Sequence, residues 1–248
     1  MVKNSATPRT KDAWGNASVL AVIPARGGSK GIPRKNLVDL CGRPLVAWSI
    51  ETANELLKSG VVHEALVSTD DSEIAEAAKK WGGNVPFLRP SELSTDQAKT
   101  ADVLIHALDW HSKRGKEFDA VLLLQPTSPQ RDLMAIEKAV KEFSQQTRAQ
   151  SLIACFQDEY ICDAVMYEQT LDGYLKPKSP AHNSGARRQE KAPVWIRTGA
   201  LYLTLTNFLR SKRKVICDHP MLFEMKKNHS IDLNNQEDLE LLRAIMCR

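Results

Sequence analysis

Four cations follow directly on an apolar run. Arg26, Lys30, Arg34 and Lys35 come after Val19–Pro24, and Gly27, Gly28 and Gly31 are interleaved with them in "PARGGSKGIPRKN". Glycines let backbone N–H groups approach an anion closely. Lys and Arg neutralise a polyphosphate. The stretch lacks G-K-[ST] at Walker A spacing and lacks G-x-G-x-x-G, so it is neither a P-loop nor a dinucleotide fingerprint. The plain alternative is a glycine turn with solvated lysines. A buried strand feeding four cations favours anion binding over that alternative.

Other residues carry weaker signals. Gln125 ends an apolar run before "PTSP", so its amide needs partners, although a Pro-ended strand and turn would also explain it. Arg89, in "LRPSELSTDQAKT" (88–100), can reach a ligand, whereas Asp96 reads as a helix cap. Arg187, Arg188 and Arg197 offer forks suited to carboxylates and phosphates, with a solvated basic loop as the equal alternative. Asp232 and Asn234 alternate along a short expected strand and so face one side. Two such oxygens suit Mg²⁺ against a phosphate; the alternative is that they lead into the last helix, with Asn235 as its cap. His106 and His111 read as satisfied structural histidines, Asp70 and Asp71 as capping residues, and "RSKRK" (210–214) as a solvated turn.

These residues need a scaffold, and the chain alternates strand and helix patterns. Strands are expected at 18–25, 63–69, 119–125, 151–156, 199–204 and 221–225. Helices are expected from Pro44 with Val46, Ile50, Ala53 and Leu57 on one face, from Asp70 to Gly82-Gly83, and over 100–113, 132–144 and 235–246. The alternation implies an α/β fold with a mostly parallel, doubly wound sheet. Ligands of such sheets sit beyond the carboxyl ends of the strands. There "PARGGSKGIPRKN", "STDD" and "QPTSP" should converge. Residues 1–17 read as a flexible lead-in, 18–248 as the domain, and 157–195 as an insertion, plausible as an oligomer contact.

The bulk properties bound the rest. A chain of 248 residues with 42% hydrophobic content supports one sizeable α/β core. A net charge of +4 suits anionic small molecules and does not call for nucleic acid. Five scattered cysteines without a C-x-x-C pair suggest neither a zinc site nor a disulfide framework, and read as reduced thiols of a cytoplasmic protein. Neither a signal peptide nor a membrane-spanning run is expected.

Taken in order, "IPARGGSKGIPRKNL", "GRPLVAWSI", "VSTDDSEIAEAAKKWG", "RPSELSTD", "LLLQPTSP-x-R" and "SIDLNNQEDLEL" resemble the acylneuraminate cytidylyltransferases across about residues 18–246. The resemblance implies a Rossmann-like nucleotidyltransferase in which the anomeric hydroxyl of a nonulosonic acid attacks the α-phosphate of CTP and pyrophosphate leaves. It implies triphosphate contacts by Arg26, Gly27, Gly28, Lys30 and Lys35, with Asn36 near the nucleotide and Arg89 and Thr100 near cytidine and ribose. Gln125, Arg188 and Arg197 would meet the acceptor sugar, Asp232 and Asn234 would hold Mg²⁺, and 157–195 would form a homodimer contact. Relatives that activate 3-deoxy-manno-octulosonate share the fold and loop but usually lack "QPTSP" and "RRQ". The family usually has Asp where Asn234 stands and often Asn where Thr198 stands. Asn234 therefore keeps open a catalytically impaired nucleotide-binding homologue, and Thr198 a different acceptor such as legionaminate or pseudaminate.

Overall fold

The computed structural model describes residues 17–29, 31–146, 148–158, 161–183 and 194–247. Lys30, Arg188 and most of the N-terminal lead-in lie outside these residues.

Strand β1 (Val19–Pro24) is buried along almost its whole length, as a continuous apolar run predicts for a central parallel strand. Its residues alternate between two cores. Val19, Ala21 and Ile23 enter one, and Leu20 and Val22 the other. A short antiparallel hairpin, β2 (Asp39–Leu40) and β3 (Arg43–Pro44), follows. Its turn places Cys41 at φ 59° and Gly42 at φ 77°, the left-handed pair that tight hairpins require.

The alternation then runs through α1 (Leu45–Lys58), β4 (Glu64–Ser68), α2 (Ser72–Lys80), α3 (Thr100–Ser112), β5 (Ala120–Leu123) and α4 (Leu133–Gln145). After these come β6 (Ser151–Asp158), the small pair β7 (Tyr167–Gln169) and β8 (Leu175–Pro177), β9 (Val194–Leu205), α5 (Thr206–Lys212), β10 (Met221–Glu224) and α6 (Gln236–Met246).

The main sheet has the order β10-β6-β9-β5-β1-β4. All its neighbours pair parallel except β9, which runs antiparallel between β5 and β6. The expected α/β sheet is therefore present. Helices α1, α2 and α4 cover one face, and α3 with Leu209 of α5 the other. A third cluster, Ile32, Leu40, Leu45, Leu233, Leu239 and Leu242, ties the phosphate loop and hairpin to α6.

The insertion differs in detail from the expectation. Strands β6 and β9 extend into it by pairing Cys155–Asp158 with Arg197–Val194, and β7 pairs with β8 beyond them. Met166, Tyr167, Leu171, Tyr174 and Leu175 are exposed there.

Several expectations are corrected. Asp71, not Asp70, caps α2, accepting the Ile74 N–H at 3.0 Å. The segment Ser230–Asn234 forms no strand; the Leu233 N–H to the Thr127 carbonyl and Ser128 Oγ to Asp232, both at 2.8 Å, hold it beside the QPTSP loop. "RSKRK" is not simply solvated: α5 covers its first part, with Arg210 paired to Asp109 and Arg213 to Asp102, both at 2.5 Å. Cys41 and Cys247 form a disulfide across 206 residues, where reduced thiols were expected. Folding of α6 onto the hairpin brings them together, and no local spacing encodes that. Cys155, Cys162 and Cys217 are free and buried. His111 is buried, but neither ring nitrogen has a hydrogen bond; Glu64 lies 3.4 Å away and aromatic rings surround it. Burial pushes its pKa down against the pull of Glu64.

Candidate active site

The chain passes from β1 to β4 on one side and to β5 on the other. The crevice beyond the carboxyl end of β1 is thus the topological switch point of the sheet. A cavity of about 480 Å³ opens there. Arg26, Lys35, Asn36, Arg89, Thr100, Gln125 and Asn234 all line it, together with Asp96. Residues 208 positions apart in the chain, Arg26 and Asn234, thus share one wall-bounded space.

Each position has a local cause. Asn36 is buried and donates to the Arg26 carbonyl at 2.9 Å, which folds the phosphate loop back on itself. Gly27 donates its N–H to Asp70 at 3.1 Å. A Cβ on Gly27 would stand 2.6 Å from an Asp71 carboxylate oxygen, so only glycine lets the loop lie against the start of α2. Gly28 has open space around it. Arg34, which the family pattern leaves without a role, pairs with Asp71 and Glu73 and staples the loop to α2. Hydrogen bonding to Asp71 raises the Arg34 pKa, and the same bond lowers that of Asp71.

Lys35 donates to the carbonyls of Leu233 at 2.7 Å and Asn234 at 3.3 Å. Burial lowers its pKa, while Asp232 and Asp238 oppose the shift. Asp96, expected as a helix cap, does not cap α3, which Lys99 precedes; it pairs with Arg26 at 2.8 Å. Arg89 is buried; it donates Nε to Ser94 at 3.0 Å and stands 3.5 Å from Asp70. Its Nη2 faces that Asp70 carboxylate as an ion pair without a well-aligned hydrogen bond, and burial lowers the Arg89 pKa against the pull of Asp70.

A second group lies next to the cavity without lining it. Ser128 Oγ donates to Asp232 at 2.8 Å. Between the Ile153–Tyr202 and Cys155–Arg197 pairs, β9 advances five residues while β6 advances two, so Thr198 and Gly199 bulge. A Cβ on Gly199 would meet Ser128 Oγ at 2.5 Å, Gln125 Oε1 at 2.7 Å and Asp232 Oδ1 at 3.1 Å. The bulge and its glycine therefore let three oxygens converge. Thr198 is buried inside the bulge, its hydroxyl 3.5 Å from the Ala154 carbonyl. Arg197, exposed at the start of the bulge, acts electrostatically on Cys155 and Tyr202.

Asp232 and Asn234 supply hard oxygen donors. The Asn234 amide nitrogen donates to the Asp232 carbonyl at 3.1 Å, which leaves its Oδ1 as the atom able to ligate. Among the described residues no three His, Cys, Asp or Glu side chains gather as a metal cluster. Without a strand over Ser230–Asn234 the two side chains do not share a face by register: Asn234 lines the cavity, while Asp232 accepts from Ser128 beside it.

Sequence reasoning missed Ser128, Arg131 and the role of Asp70 as an acceptor for the loop. Arg131 did carry a signal. It is the arginine that closes the LLLQPTSP-x-R stretch, to which the sequence reading gave no role.

A family model described as cytidylyltransferase matches residues 20–244. A pseudaminic acid cytidylyltransferase of Campylobacter jejuni is 31% identical over 226 residues, 91% of this chain and 95% of that protein. A CMP-N,N'-diacetyllegionaminic acid synthase of Legionella pneumophila is 45% identical over 123 residues, 50% of this chain and 52% of that protein. A solved CMP:2-keto-3-deoxy-manno-octonic acid synthetase, complexed with CTP, superposes with a TM-score of 0.67 at 21% identity, covering 93% of this chain and 98% of that one. The match over nearly the whole length, on a fold that gathers the motif residues into one crevice, places this chain in the cytidylyltransferase family.

Proposed function

We propose that the chain transfers a cytidylyl group from CTP to the anomeric hydroxyl of a sialic-acid-type nonulosonic acid, releasing pyrophosphate. The observation that carries this is the convergence of Arg26, Lys35, Arg89, Thr100 and Gln125 on one switch-point cavity. Attack forms the bond from sugar oxygen to α-phosphorus and breaks the one to the bridging oxygen of pyrophosphate. Such a transfer depends on positioning and charge neutralisation more than on covalent catalysis. Arg26 and Lys35, with Lys30 by its place in the motif, neutralise the triphosphate. Arg89 and Thr100 bound the nucleoside end. Gln125, Arg197 and, by the motif, Arg188 receive the anionic acceptor. Asp232 and Asn234 would hold Mg²⁺, which would supply further charge neutralisation at the phosphates.

A homodimer is supported by the exposed apolar side chains of the β7–β8 insertion, which a lone protomer leaves in water. The nucleoside triphosphate donor supports a cytoplasmic setting. Among the described residues no helix is long and apolar enough to cross a membrane.

The test is pyrophosphate release from CTP and Mg²⁺ with N-acetylneuraminate, legionaminate, pseudaminate and 3-deoxy-manno-octulosonate in parallel. Turnover of a nine-carbon acid is expected. Release with none of them, while CTP still binds, refutes the reading and leaves the impaired homologue. Asn234→Asp adds a ligand charge, which sets affinity for hard cations, and is expected to lower the Mg²⁺ requirement about tenfold. An unchanged Mg²⁺ titration removes Asn234 from the metal site.

A further inference from the structure

Arg131 has no part in the chemistry above, yet it is tied into the site more tightly than the residues that do. Its Nη2 donates to the Gln125 carbonyl at 2.6 Å, its Nε to the Ala200 carbonyl at 2.8 Å, and its Nη1 to Ser49 Oγ at 3.1 Å. The partners come from the QPTSP loop, the β9 bulge and α1. All three are neutral, so the cation has no contacting carboxylate among these bonds. Burial drives its pKa down to about 9, opposed by Asp232, and it remains charged at neutral pH.

A half-buried cation without a contacting counter-ion, just before a helix N-terminus, is costly for the fold alone. The placement gives a reason to keep it. One bond holds the backbone of Gln125. Another holds Ala200, next to Gly199, around which Gln125 Oε1, Ser128 Oγ and Asp232 Oδ1 converge. Part of Arg131 also lines a second cavity of about 360 Å³ with Trp48, Leu133 and His229, which shares no lining residue with the nucleotide cavity.

We infer that Arg131 is a positioning residue for the acceptor half of the site. It clamps Gln125 and the Gly199–Ala200 bulge in register and sets a positive charge behind the oxygens that meet the anionic acid. This rests on the acceptor reading of that half given above.

The experiment compares wild type, Arg131→Lys and Arg131→Ala, with CTP and acid varied separately. Arg131→Lys keeps the charge but loses the fork. It is expected to lower kcat/KM for the acid about 10²-fold, as a misplacement of the order of 1 Å does. The KM for CTP should stay near wild type, since Arg131 does not line the nucleotide cavity. Added guanidinium, entering through the second cavity, is expected to restore acid turnover to Arg131→Ala severalfold. Should Arg131→Ala not fold, Arg131→Lys decides alone. An active wild type whose Lys variant keeps its kcat/KM for the acid, or whose KM values for acid and CTP change equally, overturns the positioning role. A wild type that turns over no acid overturns the functional reading and this role with it.

Discussion

Gly31→Ala tests whether the phosphate loop is held by the C-terminal segment. A Cβ at Gly31 would stand 2.2 Å from the Asn234 carbonyl oxygen, 1.2 Å short of ordinary contact at 3.4 Å. The obstacle is backbone and cannot rotate away. The Leu233 bond to Thr127 fixes it on one side and the Asn235–Asp238 capping box of α6 on the other. The loop must yield instead, and a shift of that size breaks the 2.7 Å bond from Lys35 to Leu233. Overpacking costs about 1–3 kcal/mol. A hydrogen bond from a charged donor is worth about 1.5–3 kcal/mol, taken at its lower end because Lys35 regains water. The expected loss is about 2.5–4.5 kcal/mol, or a Tm lower by about 5–18 °C at this chain length.

Lys35 and Arg26 move with the loop, so kcat/KM for CTP should fall about 10²-fold. Calorimetry and a pyrophosphate-release assay with CTP varied read the two effects. Gly28→Ala is the matched control: nothing lies within 4 Å of its Cβ, and its stability should change by less than about 0.5 kcal/mol. If Gly31→Ala melts with the control and keeps its CTP kinetics, the loop is not anchored on the C-terminal segment and the reasoning fails.

Two further outcomes are expected. The Cys41–Cys247 bond closes a loop of 206 residues, so reduction should cost about 2–4 kcal/mol and lower Tm by about 5–15 °C. The Cys41→Ser/Cys247→Ser protein should melt like the reduced one whatever the reductant; a wild-type melt indifferent to reductant counts against the bond. Burial holds the His111 pKa below its ordinary value, so the folded state binds fewer protons than the unfolded one as pH falls through about 6.5. Stability is then full above that pH and declines below it, with a slope of up to about 1.4 kcal/mol per pH unit for the group. His106, shifted the same way, adds to the decline. His111→Phe should flatten the dependence measured by urea unfolding between about pH 5 and 7; identical slopes for both proteins would exclude His111 as its source.

Much of this molecule was legible because its signals are local. A continuous apolar run predicts β1, helical spacing predicts α1, and Asn235 announces the helix it caps. Hydrophobic periodicity and cap chemistry act over a few residues, so the letters alone carry them. The expectation of anion binding at the Arg26–Asn36 loop rests on signals of the same class. Its glycines and cations are neighbours in the chain, and the strand before them sets the direction in which they point.

What the letters could not decide depends on contacts between distant segments. Arg34 looked idle until α2 supplied Asp71 and Glu73. Gly31 and Gly28 look alike in the sequence, but only one of them meets a carbonyl from residue 234. The cysteines at 41 and 247, the bulge that makes room beside Gly199, and the three carbonyl and hydroxyl partners of Arg131 all arise when α6, β9 and the QPTSP loop pack together. The sequence by itself determined which elements form and what kind of anion chemistry they suit, because those follow from short-range periodicity and charge. The tertiary structure alone decided which cations face the cavity and which are spent on holding it, because a side chain's role depends on the oxygens that folding brings within about 3 Å of it.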